Sequence, residues 1–349
     1  MKALFVITGP GVGGDSAAAL NISKSLSKYG FESEFALDSK SSGLLFKNNN
    51  LKWYKTTVPA AGGHVATKFS LLKAAIRSLG GVFETARLIK KVNPDVVVGL
   101  SGGGAVIGCL SAKLAKYPSV CILWTPMDAK ICPRVATACV TSTESPLFRN
   151  DTEFKNVHKS YSPIDPSVIN GDKEKARKLM PDGYDETLPT ILLSSGSHLF
   201  EKMVLAASKL AKSDIKANIV VVGLTRNEKC LKYLDDENII YLGFIDWIRD
   251  LFKLVDLVIS SDDGIMIHET IACGLPLVTL QGVKYGRITQ FPEIFKGALV
   301  QGHVETIDIE VKEALNHLDE MKENVNEYSK DILEAPDRIA KIIYNTVSN

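Results

Sequence analysis

Three glycine-rich stretches hold the residues best placed to do chemistry: "TGPGVGG" at 8–14, "GLSGGGAVIG" at 99–108 and "SSGSH" at 194–198. Each follows an apolar run of strand-like composition and leads into a helical pattern. In that setting the unpaired N–H groups of a helix start can approach a phosphate. One such loop is weak evidence, because glycine turns also serve tight packing. Three of them, divided between two halves of the chain, favour a shared nucleotide cleft. The first loop ends in an acid, Asp15, which suits the positive end of a helix but opposes an anionic ligand.

The elements that position these loops alternate. Apolar, β-branched runs at Leu4 to Ile7, Val96 to Val98, Ser119 to Leu123 and Ala138 to Thr141 are separated by helical patterns, the first helix starting near Ser16. A second series follows at Thr190 to Leu193, Asn218 to Val222, Ile239 to Leu242, Leu257 to Ser260 and Leu277 to Leu280. Such alternation predicts parallel strands joined by helical crossovers. Between the series, "SYSPIDP" at 160–166 and the charged stretch behind it break the pattern and read as a linker. The expected architecture is α/β, with two doubly wound, Rossmann-like domains facing across a cleft. They comprise residues 1–163, joined by a C-terminal helix at 330–349, and residues 164–329. Ligands are expected at the carboxyl ends of the strands.

Composition narrows the classes of partner. The 349 residues are 45% hydrophobic, and Lys+Arg 41 against Asp+Glu 40 leave a charge of +1, so no global basic excess points to nucleic acid. No stretch approaches the roughly 18 to 20 apolar residues that span a bilayer, and the first strand is too short for a signal-peptide core. The expectation is a soluble or peripheral protein. The six cysteines form no C-x-x-C pair and several lie in apolar runs. They read as free thiols in a reduced interior, and no His/Cys cluster has ligand spacing.

The pieces "VITGPGVGGDSAAALNISKSLSKYGFE", "VNPDVVVGLSGGGAVIGCLSAKLAKYP", "TILLSSGSH" and "YLGFIDWIRDLFKLVDLVISSDDGIMIHETIACGLPLVTL" resemble, in this order, the family 28 glycosyltransferases of GT-B fold. The resemblance is to the branch that moves N-acetylglucosamine from UDP-GlcNAc onto a lipid-linked cell-wall precursor of peptidoglycan. It implies a C-terminal UDP-sugar domain and an N-terminal, membrane-facing acceptor domain. Phe244 and Ile245 match the pair bordering the uracil, and Glu269 the carboxylate on the ribose hydroxyls. Ser197 matches the serine loop on the diphosphate, and Gln290, with Gln281, falls near the glutamine-bearing sugar loop. The UDP-sugar is a substrate; the likeness implies no metal and no further cofactor. From the residues alone, blander roles stand beside these: Phe244 and Ile245 as core, Glu269 on a solvated helix face, and Ser197 as the cap of the next helix.

Departures from the family are informative. Aligning Gly13 and Gly14 with the last glycines of its "GGTGGH" loop puts Asp15 in place of the histidine, as a base for inverting transfer or as a cap of the helix behind it. Gly13, Gly14, Gly102, Gly103 and Gly104 then make room for the acceptor and its diphosphate. The family's "NPVR" turn is Ser162-Pro-Ile-Asp165 here, without the arginine. Asp262 and Asp263 would repel a diphosphate at close range, and capping of the Glu269 helix is their natural role. These differences favour an acceptor related to, but distinct from, the bacterial muramoyl precursor, such as an archaeal pseudomurein precursor. A UDP-GlcNAc 2-epimerase and a non-catalytic nucleotide-sugar-binding partner subunit are the alternatives.

One helix speaks to the membrane. Phe69, Leu72 and Ile76 fall at helical spacing, with Lys68, Lys73 and Arg77 around them. Such a basic amphipathic helix can lie on an anionic membrane surface, here the cytoplasmic face of the cell membrane, or bury its apolar face in the domain.

Overall fold

The computed structural model describes residues 1–9, 11, 13–58, 68–142, 154–225, 227–262, 264–283 and 291–348; the side chains of 68–76 and 197 are outside that description. The chain divides into two compact units, Met1–Asp165 with Glu334–Asn349, and Pro166–Leu333.

The first unit is built on strands β1 (Lys2–Ile7), β2 (Glu32–Asp38), β3 (Trp53–Thr56), β4 (Val96–Leu100), β5 (Ser119–Leu123), β6 (Ala138–Thr141) and β7 (Val157–Lys159). They lie in the order β3-β2-β1-β4-β5-β6-β7, and every pairing is parallel. Crossovers carry helices α1 (Gly14–Ser27), α2 (Leu44–Asn48), α3 (Lys68–Val92), α4 (Gly102–Ala115) and α5 (Pro126–Ile131). Residues Ala3 to Ile7 and Val96 to Val98 are fully buried, which is why these strands read as unbroken apolar runs.

The second unit opens with α6 (Lys173–Leu179). It continues through β8 (Thr190–Leu199), α7 (Glu201–Ala211), β9 (Asn218–Thr225), β10 (Ile239–Gly243), α8 (Ile248–Leu251), β11 (Leu257–Ser261), α9 (Met266–Ala272), β12 (Leu277–Leu280), α10 (Phe291–Ile294), β13 (Leu299–Gly302), α11 (Ile307–Asn316) and α12 (Leu318–Leu333). Its parallel sheet has the order β10-β9-β8-β11-β12-β13. The last helix, α13 (Ala335–Ser348), packs against α1 of the first unit, with Tyr29 stacked on Tyr344 at 5.0 Å and Lys28 paired with Asp337 at 2.7 Å.

Each sheet reverses its winding once, between β1 and β4 and between β8 and β11. At such a switch point the flanking loops splay apart at the carboxyl edge and leave a crevice. The strands that sequence reading passes over are β2 and the short edge strands β3, β7 and β13. In β2 the obstacle is Glu34, a charged residue at a buried position. Burial raises its carboxyl, but hydrogen bonds from Lys52 and Tyr54 and the charges of Lys2 and Lys52 outweigh that and hold it below the usual carboxylate range.

Two glycine stretches differ from their expected form. "SSGSH" is not a loop: β8 continues through it, and after a register shift pairs His198 with Leu224 and Leu199 with Thr225. Gly102, Gly103 and Gly104 form the first turn of α4, not a free loop. A Cβ on Gly104 would sit 2.7 Å from the Thr8 nitrogen and 2.8 Å from the Val6 oxygen, so this glycine lets α4 lie directly on β1. It is a packing residue, and the expected contact with an acceptor does not apply to it. Gly104→Ala should therefore cost about 1–3 kcal/mol through overpacking. Gly14→Ala, with nothing within 4 Å of its added methyl group, should leave stability unchanged; urea midpoints of the two variants compare them directly.

Candidate active site

At the switch point of the first unit, β1 leads into Thr8 and the glycine turn, and β4 into Ser101. Helix α1 is capped by Gly13, whose φ of 95° and ψ of −169° are accessible to glycine and strained for any other residue. Asp15 is therefore not the cap that sequence reading allowed. It lies inside the first turn, half-buried, where its charge favours the helix dipole. The turn replacing the family's arginine-bearing one is tied to α1: Asn21 donates to Pro163 O at 3.1 Å and Lys24 pairs with Asp165 at 2.8 Å.

The start of α4 is held by protein groups. Ser101 adopts φ 53°, unusual for a residue with a side chain, and is locked by its N–H to Ile122 O at 3.1 Å and by the Thr8 hydroxyl donating to its carbonyl at 2.9 Å. The same Thr8 oxygen accepts the Gly104 N–H at 2.5 Å. The Gly102 N–H donates to Asp128 at 2.7 Å. The Asp128 carboxylate is fully buried and also accepts from Thr125 at 2.9 Å and Trp124 at 3.2 Å. Burial pushes its carboxyl up, against the pull of these backbone donors. The Gly102 N–H is thus already engaged, and Gly102 and Gly103 are both half-buried at this turn. Sequence reading missed Asp128, although "TPMD" at 125–128 carries the signal: Thr125 and Asp128 form a reciprocal capping box with Pro126 in the first turn of α5.

In the second unit, Ser197 lies within β8, and the cap of α7 is Phe200, so Ser197 is not the helix cap. A phenylalanine side chain offers no acceptor, and the amides of Met203 and Val204 turn back to Phe200 O. The amides of Glu201 and Lys202 head the helix, an arrangement suited to an anion. Lys202, which sequence reading passed over, extends its ammonium toward the turn after β12, to 3.0 Å from where a Cβ on Gly282 would stand. Asp262 accepts from the Gly282 N–H at 2.9 Å, while α9 is capped at Ile265. Asp262 therefore fastens the β12 turn and does not cap the Glu269 helix. Asp263 and Gln290 lie outside the described residues; Gln281 is half-buried.

Phe244 follows Gly243 at the carboxyl end of β10 and is 59% exposed, which overturns the reading of it as core. Ile245 is half-buried. Glu269, also half-buried, is carried on α9 beside His268. That imidazole is enclosed, edge-on to Phe291 and Phe295 at ring distances of 5.8 and 5.4 Å. Burial drives its pKa down to about 4, against a backbone hydrogen bond with Gly264. A histidine depressed in the folded state stabilises fully above its unfolded pKa, near 6.5, and loses that contribution as the pH falls toward 4. The unfolding free energy should decline between about pH 6.5 and 4, and His268→Gln should flatten that slope in urea titrations at a series of pH values.

Two doubly wound parallel units, with their helix starts and exposed side chains at the carboxyl edges, define the GT-B fold class. The solved MurG of Acinetobacter baumannii superposes with a TM-score of 0.67 at 18% identity over 99% of each chain. SnogD from Streptomyces nogalater gives 0.65 at 16% identity, again over 99% of each. No family model matches the sequence. By sequence the chain is similar to the UDP-N-acetylglucosamine–N-acetylmuramyl-(pentapeptide) pyrophosphoryl-undecaprenol N-acetylglucosamine transferase of Clostridium botulinum, 26% identical over 300 residues, 80% of this chain and 78% of that protein. The proteins of the same name from Thermodesulfovibrio yellowstonii and Clostridium perfringens are 24% and 26% identical over 290 and 283 residues, covering 77% and 78% of this chain and 75% and 76% of theirs.

Proposed function

We propose that this chain is an inverting glycosyltransferase that moves N-acetylglucosamine from UDP-GlcNAc to a polyprenyl-diphosphate-linked cell-wall precursor. The observation that carries the reading is sequence similarity across 77–80% of the chain to proteins whose names state that transfer. Uracil lies against Phe244 and Ile245, Glu269 accepts from the ribose hydroxyls, and the diphosphate meets Ser197 near the end of β8, the first amides of α7 and the Lys202 ammonium. Lys202 supplies a cation where the family's turn arginine is absent. Gln290 reads the sugar hydroxyls.

The acceptor, with its diphosphate near Gly13, Gly14 and Gly103, presents a hydroxyl to the anomeric carbon. A new C–O bond forms as the bond to the β-phosphate breaks, UDP departs toward the α7 dipole, and Asp15 takes the hydroxyl proton. This scheme employs the UDP-sugar as substrate and no further cofactor. The departures from the bacterial loops favour a related acceptor other than the bacterial muramoyl peptide.

Incubation with UDP-GlcNAc, with and without an isoprenoid-diphosphate-linked acceptor, tests the reaction. Acceptor-dependent UDP release supports transfer; UDP-ManNAc or no turnover overturns it in favour of an epimerase or a binding subunit. Asp15→Asn should lower kcat by about 10²–10⁴-fold with donor affinity retained. Lys202→Met should weaken UDP binding by about ten- to a hundredfold, the worth of one charge-assisted hydrogen bond. Full activity in Asp15→Asn would remove it from the chemistry.

The enzyme acts at the cytoplasmic face of the membrane as a peripheral protein. Among the described residues no helix is long and apolar enough to cross a bilayer. Lys68, Phe69, Leu72, Lys73 and Ile76 lie on α3 with side chains outside the description; Arg77 is half-buried. Further along, Val82 packs on the domain core with the buried Ala86 and Ile89, while Leu79 and Phe83 are 67% and 59% exposed. They extend the apolar face by one turn, with basic residues before and after, as a monotopic helix requires. Exchanging Leu79 and Phe83 for serine should reduce sedimentation with anionic vesicles and leave UDP binding unaltered; unchanged sedimentation would exclude this face.

A further inference from the structure

Four of the six cysteines meet in the core of the first unit. Cys109 comes from α4, Cys121 from the middle of β5, Cys132 from the turn after α5, and Cys139 from β6, opposite Cys121 in the strand register. All four are fully buried within one cluster whose other members are Ala105, Val106, Leu123 and Ala136. The Sγ atoms of Cys109, Cys121 and Cys132 lie within 4.8 Å of one another.

We propose that these four cysteines form a structural site for a soft d¹⁰ cation, Zn²⁺, with Cys109, Cys121 and Cys132 as the primary ligands and Cys139 closing the tetrahedron. Zinc–sulfur bonds of about 2.3 Å at tetrahedral angles set sulfurs about 3.8 Å apart. Cys109, Cys121 and Cys132, already within 4.8 Å of one another, contract to reach that spacing, and Cys139 moves in to complete it. Its donors are all thiols, the set that selects a soft ion over the hard oxygen-liganded ones. As small hydrophobes, cysteines need not converge, and Cys230 stays apart from this cluster in the other unit. Here three separate elements each direct a thiol to one point, with Cys139 of a fourth beside Cys121 in the strand register. Coordination replaces each S–H bond by an S–Zn bond and releases that proton to solvent, with no change of oxidation state.

The site has a mechanical consequence. The Cys132 N–H donates to Asp128 O, and the Asp128 carboxylate holds Gly102. Metal at Cys132 and Cys109 therefore pins both helices that meet at the carboxyl edge, α5 and α4. The proposal is independent of the glycosyl-transfer reading.

The test uses the full chain, expressed with zinc in the medium and purified in reductant without chelator. About one zinc per chain is expected by elemental analysis, as in structural thiolate sites, with stoichiometric release to a chromogenic chelator on mercurial titration. Co²⁺ exchange should give the intense near-ultraviolet band of thiolate-to-cobalt charge transfer. Cys109→Ser should lose the metal and the band, and amide exchange at 101–104 should accelerate; Cys139→Ser should weaken binding less. Should Cys109→Ser fail to fold, the wild-type mercurial and cobalt measurements decide alone. Folded wild-type protein with only trace zinc and no charge-transfer band overturns the proposal, as does a disulfide among these cysteines in protein prepared without oxidant.

Discussion

The carboxyl edge of the first unit depends on one buried carboxylate. Asp128 gathers the N–H groups of Gly102, Trp124 and Thr125 and so joins the turn after β4 to the turn after β5. A buried carboxylate is costly unless its acceptors are filled. Here three backbone donors fill them, and the desolvation cost fixes the geometry. Removing any donor would leave an acceptor unsatisfied in the core. That penalty is what holds Ser101 in its unfavourable backbone conformation and places α4 against β1, where only Gly104 fits.

The same accounting separates the two halves of the reaction. In the first unit the amides that could have received a phosphate at α4 are largely committed, Gly102 to Asp128 and Gly104 to Thr8. In the second, α7 begins behind Phe200, whose side chain makes no cap hydrogen bond, and a lysine in its first turn reaches toward the neighbouring turn. A helix start with a nearby cation attracts a diphosphate. A start already closed by protein is a wall. Gly104 is accordingly a packing residue, whereas Gly13 and Gly14 have open space beside them.

Much of this was legible from the chain. Buried parallel strands announce themselves as continuous apolar runs, so every interior strand except β2 is legible, and the order of the motifs identifies the fold class. Edge strands such as β3 and β13 are short and half-covered, and β2 hides a buried glutamate whose partners come from distant segments. The carboxyl-edge roles were harder. Asp15, Ser197 and Asp262 have the right composition for helix caps, yet the caps fall on Gly13, Phe200 and Ile265, because capping is set by the backbone angle at the element boundary. Local sequence fixes that boundary only to within a residue or two. The thiol cluster was invisible for a related reason. Its ligands lie on four elements that only the folded sheet brings together, so no short spacing exists to be read.

Asp15, Asp128 and Asp262 stand at carboxyl edges in different surroundings. Asp128 and Asp262 are buried and accept backbone N–H groups, which makes them braces between turns. Asp15 stands in the first turn of α1 with part of its surface open to solvent. The helix dipole favours a negative charge there. A base must take its proton only as the hydroxyl attacks, and a carboxylate becomes basic enough when water is excluded around it. Asp15, with part of its surface open, leaves room for a bound substrate to supply that exclusion.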